Sequence, residues 1–368
     1  MSSDKQQFKN ILCIRADNMG DLLMSSPAIR ALKETFKASI TVLTSSMAAP
    51  ISASIAEIDD TICYDLPWVK TKNDSVPDAF FEITNLLKSR NFDLAVIFSV
   101  YSQNPLPAAM LAYLADIPVR LAYCRENPYQ LLTHWVPDIE PYSGIKHQVK
   151  RDLDLVAEIG ALPTTDQLEL ICFDDAWQSA KAKLVDQGID LSKPWLILHA
   201  GVSEKKREYP KANWIELAKR IIQQTSYQVF FTGGPAEKPL TDELQNATGS
   251  GSFSLAGCFD LREFVELIRN TALIVSVNTG TTHIAAATQT PVIVLYALTN
   301  PQHSPWKANG KVLTFDVDED LRSKNEVIRF VNTIYCNEFG KRTISSNEVL
   351  KCVLDILRGN IEQIPEMF

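Results

Sequence analysis

Residues 10–44 read NILCIRADNMGDLLMSSPAIRALKETFKASITVLT, and the change of period within this stretch decides the fold class. Asn10–Ala16 is a short apolar run that ends in loop residues. A helical pattern follows through Ile29, Leu32 and Phe36. Ser39–Thr44 is β-branched and reads as the next strand. Pro27 leaves two helix starts open, one near Asp21 and one near Ser26. Strand, helix and strand in such close succession predict parallel strands joined by a crossover helix.

The alternation continues outward. Asp93–Ser99 (DLAVIFS) reads as another buried strand. The pattern loosens around 164–193, where Asp174 to Leu191 predicts one amphipathic helix broken by Ser192-Lys193-Pro194. A second series then runs through strand Trp195–His199, helix Trp214–Gln223, strand Tyr227–Thr232, a helix around Leu261–Arg269, strand Ala272–Val277, a helix from Thr282 and strand Pro291–Tyr296. The expectation is α/β architecture in two Rossmann-like lobes, 1–175 and 190–345, divided near 173–194. A terminal helix, Ser346–Arg358 within 346–368, is expected to pack back on the first lobe. Open α/β lobes bind ligands at the carboxyl ends of their strands, so the cleft between them is the expected site.

Composition narrows the class. The 368 residues are 46% hydrophobic and 22% charged, enough for two cores of ordinary size. The N-terminus MSSDKQQFKN has no apolar core of a secretory signal, and the longest apolar run, Leu106 to Ala115, is short of a membrane span. A cytoplasmic location is therefore expected, with at most a peripheral membrane contact. The seven cysteines, at 13, 63, 124, 172, 258, 336 and 352, include no CxxC pair and read as reduced core thiols. The net charge of −8 is carried by residues 1–180, which argues against broad nucleic-acid binding.

Four turns at strand ends carry the chemistry. In Arg15-Ala16-Asp17-Asn18-Met19-Gly20-Asp21, Gly20 permits a tight turn or close ligand approach. Asp21 stands in the first helical turn, where the helix dipole favours a carboxylate ready to accept a proton. Asp17 or Asp21 as a plain helix cap is the even alternative. In Ser276-Val277-Asn278-Thr279-Gly280-Thr281-Thr282-His283, an apolar strand meets a small-residue helix whose free N–H groups suit a diphosphate. The basic loop Gly201–Pro210, with Ser203, Lys206 and Arg207, can clamp phosphate or be a solvated charge run. In Thr232–Glu237, Glu237 can bind a ribose hydroxyl pair, or the segment is an ordinary turn.

These segments, together with HAGVSEKKREYPKANWIELAKRI, FFTGGPAEK, LAGCFDLREFVELIRNTALIVSVNTGTTHIAAATQTPVIVLYALTNPQHSPW, IPVRLAY and HQVKRDLDLVAEIGA, resemble glycosyltransferase family 9, the ADP-heptose:lipopolysaccharide heptosyltransferases. The resemblance implies the GT-B fold and transfer with inversion. It implies no metal or other cofactor, with a nucleotide sugar, ADP-heptose, as the donor substrate. Onto this chain it carries Asp21 as the catalytic carboxylate, Arg207 with Lys206 beside it as the phosphate cation, Phe259 as the adenine-facing position, Glu237 as the ribose acid and Thr279–His283 as the diphosphate turn. It implies a glycan or glycolipid acceptor on the first lobe, near Gly20, with Arg120, Arg125, Lys146, His147, Lys150 and Arg151 as basic candidates. Asn278 stands where many relatives have aspartate; it is neutral and also donates. The competing readings are a sugar-nucleotide epimerase and a non-catalytic nucleotide-sugar-binding subunit.

Overall fold

The computed structural model describes residues 7–69, 76–297, 300–335 and 343–366. The expected thiol at Cys336 lies outside them. The chain divides into two compact units, Met1–Glu169 and Leu170–Met367. The boundary falls just before the expected window.

The first unit runs β1 (Asn10–Ile14), α1 (Met19–Phe36), β2 (Ser39–Thr44), α2 (Ala49–Ser52), β3 (Asp60–Cys63), α3 (Pro77–Ser89), β4 (Leu94–Ile97), α4 (Leu106–Leu114), β5 (Val119–Cys124), β6 (His134–Pro137) and α5 (Gln148–Ala157). All pairings are parallel, in the order β3-β2-β1-β4-β5-β6. Chain direction across the sheet reverses between β1 and β4, whose ends lie level, Ile14 beside Ile97. Such a reversal leaves a crevice at the carboxyl ends of the two strands. One face of the sheet, with Leu12, Ile14, Ala95, Ile97 and Ala122, packs on Ile83 and Leu87 of α3 and Ala108 and Leu111 of α4.

α1 begins at Met19, ahead of Asp21, and contains Pro27. A proline there removes the N–H that would bind the Leu23 carbonyl. The Ser26 hydroxyl donates to that carbonyl instead, at 2.7 Å, so the helix continues.

The second unit runs α6 (Asp174–Asp186), β7 (Trp195–His199), α7 (Lys211–Gln224), β8 (Gln228–Phe231), α8 (Lys238–Thr248), β9 (Ser252–Ser254), α9 (Leu261–Arg269), β10 (Ile274–Val277), α10 (Gly280–Ala287), β11 (Val292–Ala297), β12 (Gly310–Phe315), α11 (Glu326–Tyr335) and α12 (Ser346–Leu357). Its parallel order, β12-β11-β10-β7-β8-β9, repeats the first topology, with the reversal between β7 and β10. α6 stops earlier than the periodicity predicts, because Gly188 turns the chain at φ +73°.

The terminal helix corrects an expectation. The apolar stripe of α12, Val349, Leu350, Val353 and Ile356, is buried in the core of the second unit with Trp214, Leu217 and Ile221 of α7. It completes that core. The thiols are also corrected in part: Cys13 and Cys124 are buried, whereas Cys63 and Cys172 are exposed.

Candidate active site

At the first reversal, β1 leads through Arg15 and Asp17 into α1. Asp21 is buried, 7% exposed, in the first turn of α1. Its Oδ2 accepts from the Asn18 backbone N–H at 3.1 Å and the Asn18 side chain at 3.3 Å. Its Oδ1 accepts from Arg15 Nη2 at 3.2 Å. Asp21 therefore does bond the start of the helix, as the cap reading expects, and it also sits in a charged pair beside the crevice. Gly20 is buried in the same turn.

Asp17 lies 3.5 Å from Arg15 Nε and accepts from Gln103 Nε2 at 2.5 Å. Burial pushes its carboxyl above the usual range, against the pull of Arg15. A cavity of about 230 Å³ opens here, lined among others by Asp17, Trp68, Ser99, Ser102, Gln103 and Asn104.

Of the basic candidates of this unit, Arg125, Lys146 and Arg151 gather around Asp138 and Glu140, whereas Arg120 is held by backbone carbonyls. Arg120 gives its guanidinium to the carbonyls of Leu131 and Gln130, each at 2.8 Å, and to that of Ile117. Burial lowers its pKa. Arg125 donates to the carbonyls of Tyr101 and Glu140 and lies 3.6 Å from Asp138. Lys146 pairs with Asp154 at 2.5 Å. His147 is buried and caps α5, its Nδ1 accepting from the Val149 N–H at 3.2 Å. Arg151 is buried between Asp138, at 2.9 Å, and Glu140, at 2.7 Å. Lys146 and Arg151 line a second cavity of about 550 Å³ with Tyr123, Asp138, Glu140 and Asp154, so its charge is mixed.

The second unit gathers the expected donor residues along one sheet edge. Phe259 follows β9, Glu237 follows β8, Ser203 to Arg207 follow β7, and Asn278 to His283 follow β10. These four strands are consecutive neighbours. Arg207 Nη1 donates to the Asn278 carbonyl at 3.1 Å and ties the two turns at the reversal together. Glu204 holds both cations, 3.4 Å from Arg207 Nη2 and 3.2 Å from Lys206 Nζ. Ser203 is exposed in the same loop. Asn278 Oδ1 accepts from the Ala297 N–H at 3.1 Å, which fixes the turn to the end of β11.

Thr279 is the N-cap of α10, and Thr281, Thr282 and His283 are buried in its first turn. Thr282 Oγ1 donates to the Thr279 carbonyl at 2.9 Å. Thr279 Oγ1 and Arg207 Nε are buried atoms with no hydrogen-bond partner among the described residues. Buried polar atoms are normally satisfied, so these two beside a helix start are open to an anion.

Glu237 accepts from the Gly234 N–H at 2.7 Å and lies against Gly201 and Gly233, the residues just past β7 and β8. The Phe259 loop is tied to the same place, Gly257 N–H donating to the Gly233 carbonyl at 2.9 Å. Reciprocal bonds between Asp260 and Glu263, at 2.8 and 2.9 Å, start α9 directly after Phe259.

The profile of glycosyltransferase family 9 (heptosyltransferase) matches residues 81–326. The chain belongs to this family. Lipooligosaccharide heptosyltransferase 2 of Haemophilus influenzae is 26% identical over 313 residues, 80% of this chain and 85% of the relative. Lipopolysaccharide heptosyltransferase 3 of Escherichia coli is 24% identical over 302 residues, 79% and 83% of the two chains. The structure of E. coli ADP-heptose lps heptosyltransferase II matches with a TM-score of 0.72 at 19% identity, over 95% of this chain and 99% of that one. Family 9 membership makes the chain a glycosyltransferase, and the fold shared with the solved heptosyltransferases is GT-B.

Sequence reasoning missed two residues that shape the turn carrying Asp21. Arg15 reads as a strand-end residue, yet it is fully buried and pairs with Asp21. Gln103 lies in a loop with no pattern and meets Asp17 only in the folded unit. A charged residue at the end of an all-apolar strand was the one available signal.

Proposed function

We propose that this chain transfers a heptose from ADP-heptose to a lipopolysaccharide-type glycan acceptor, with inversion at the anomeric carbon. The observation that carries the donor half is the single edge of the second sheet on which Phe259, Glu237, Arg207 and the α10 start lie in order. Base, ribose and diphosphate of a nucleotide sugar require aromatic, carboxylate and cationic partners in that order. An E. coli heptosyltransferase of the same fold has been solved with ADP. The acceptor half rests on Asp21. The relatives' names describe lipooligosaccharide and lipopolysaccharide enzymes. Action on the cytoplasmic side, with peripheral contact to a membrane carrying the acceptor, accords with that chemistry. No helix among the described residues is long and apolar enough to cross a membrane.

In the proposed step the acceptor hydroxyl oxygen forms a bond to the anomeric carbon as the bond to the diphosphate oxygen breaks. Asp21 takes the hydroxyl proton, which becomes acidic only as the new bond forms. The departing diphosphate is met by the N–H groups of α10, the Thr279 hydroxyl and Arg207, oriented before charge develops. Asn278 in place of aspartate leaves this pocket less anionic and bears on donor choice.

Single-turnover transfer and donor affinity measured on one Asp21→Asn preparation test the reading. Transfer should fall by roughly two to four orders of magnitude with donor binding unchanged. Transfer near the wild-type rate would reduce Asp21 to a helix cap and make Asp17 the next carboxylate to test. Calorimetry tests the nucleotide: tighter binding of UDP than ADP would reject adenine and the Phe259 assignment.

A further inference from the structure

Behind Asp21 the core holds a charge imbalance. Arg15 is fully buried, and its one positive charge faces Asp17, Asp21 and Asp152. Asp152 is on α5, 1% exposed, so substrate does not reach it. It accepts from Ser25 Oγ at 2.6 Å and from Gln148 Nε2 at 2.8 Å. Ser25 stands one helical turn after Asp21 and also lies 3.1 Å from the Asp21 carbonyl. A side chain 127 positions away thus holds the turn that carries Asp21.

We infer that Asp152 is a positioning residue for transfer: it secures the first turns of α1 through Ser25 and, through the charge of Arg15, sets how strongly Asp21 attracts a proton. The inference rests on Asp21 being the general base. The titratable groups that feel Asp152 are Cys13 on β1, Arg15 beyond its end, Tyr123 on β5 and Arg151 on its own helix. Burial drives the thiol and the phenol upward, so both stay neutral and only the two guanidinium groups offset the carboxylates. Ionised, Asp152 draws on the field of Arg15 and leaves Asp21 the stronger base. Burial pushes Asp152 up to about 6. As pH falls through that value Asp152 takes a proton, its negative charge no longer offsets that of Arg15 at Asp21, and Asp21 becomes the weaker base.

The test uses the full chain with carbon-13 carboxyl labels on aspartate, the Asp21 signal being the one lost in Asp21→Asn. In the wild type the Asp21 signal should inflect near pH 6, in step with Asp152. In Asp152→Asn, which keeps an acceptor for Ser25, that inflection should vanish. Ser25→Ala, which keeps the charge and removes its hydrogen-bond donor, should move the inflection to higher pH. An Asp21 titration identical in the wild type and both variants would overturn the inference. Transfer from ADP-heptose to a truncated lipopolysaccharide core oligosaccharide supplies the rate: Asp152→Asn should lower it roughly three- to tenfold, with unchanged ADP affinity and no acid limb near 6. A wild-type rate and pH profile in Asp152→Asn, with Asp21→Asn inactive, overturns this inference alone. A fully active Asp21→Asn overturns the general-base reading itself.

Discussion

A β-carbon on Gly201 would fall 1.7 Å from Oε1 of Glu237 and 2.1 Å from its carboxyl carbon. The obstacle is the far end of one flexible side chain, so the chain can fold around it while the carboxylate is displaced. Gly201→Ala should therefore lose donor affinity to the same extent as Glu237→Gln and melt within about 2 °C of the wild type. Calorimetry with ADP and a thermal melt check this; undiminished binding would remove Glu237 from the donor site. Asp152 has a stability signature of its own. Its folded pKa, about 6, lies above the ordinary 3.8. Its contribution to stability is thus present below about 4 and lost as pH rises through 6, a difference of roughly 3 kcal/mol. Asp152→Asn should be more stable than the wild type at pH 8, with the gain disappearing toward pH 4 in denaturant titrations. His199, at the end of β7, shows the opposite sign. Burial lowers its pKa from 6.5 to about 4, so its contribution is present above 6.5 and lost as pH falls through 4. Its imidazole, 3.0 Å from Thr232 Oγ1, should titrate near 4 by proton NMR.

Among the elements, α12 shows how a local signal can be correct and its destination wrong. Ser345 accepts from the Glu348 N–H at 3.3 Å, and Glu348 accepts from the Ser345 N–H at 2.9 Å, so the helix start is encoded locally. Val349, Leu350, Val353 and Ile356 mark its apolar face but say nothing of which core receives it. The receiving core is that of α7. Ser345→Ala should cost about 1 kcal/mol. Leu350→Ala, in the buried stripe, should cost roughly 2–5 kcal/mol. Denaturant unfolding of both variants measures the ratio; a Leu350→Ala cost no larger than the cap's would contradict burial of this face.

At the level of the whole molecule, the chain builds the same strand order twice and presents different chemistry at each reversal. The first offers Asp21, Asp17 and a cavity beside Trp68; the second offers Arg207, Glu237 and the start of α10. Donor affinity should therefore answer to the second unit alone. Arg207→Ala should weaken ADP binding by roughly 2–5 kcal/mol, the scale of losing one partner of a desolvated charge pair. Adding Asp21→Asn should leave that affinity where Arg207→Ala put it, as calorimetry on the single and double variants would show.

From the sequence alone, the alternation of apolar runs and helical periods determined two parallel sheets, because strand and helix periods are set within a few residues. The same local logic placed Asp21 at a helix start and Asn278–His283 at another. Family 9 motifs marked Arg207, Glu237 and Phe259, each in the loop that follows its strand. Tertiary structure alone decided what their neighbours do. It spent Arg120 on backbone carbonyls, buried Arg151 between two carboxylates and paired Lys146 with Asp154. Residue type announces a charge but not the partner that neutralises it. Likewise nothing near residue 152 in the chain announces Ser25, and only the packing of α5 on α1 removes water from both and leaves each as the other's hydrogen-bond partner.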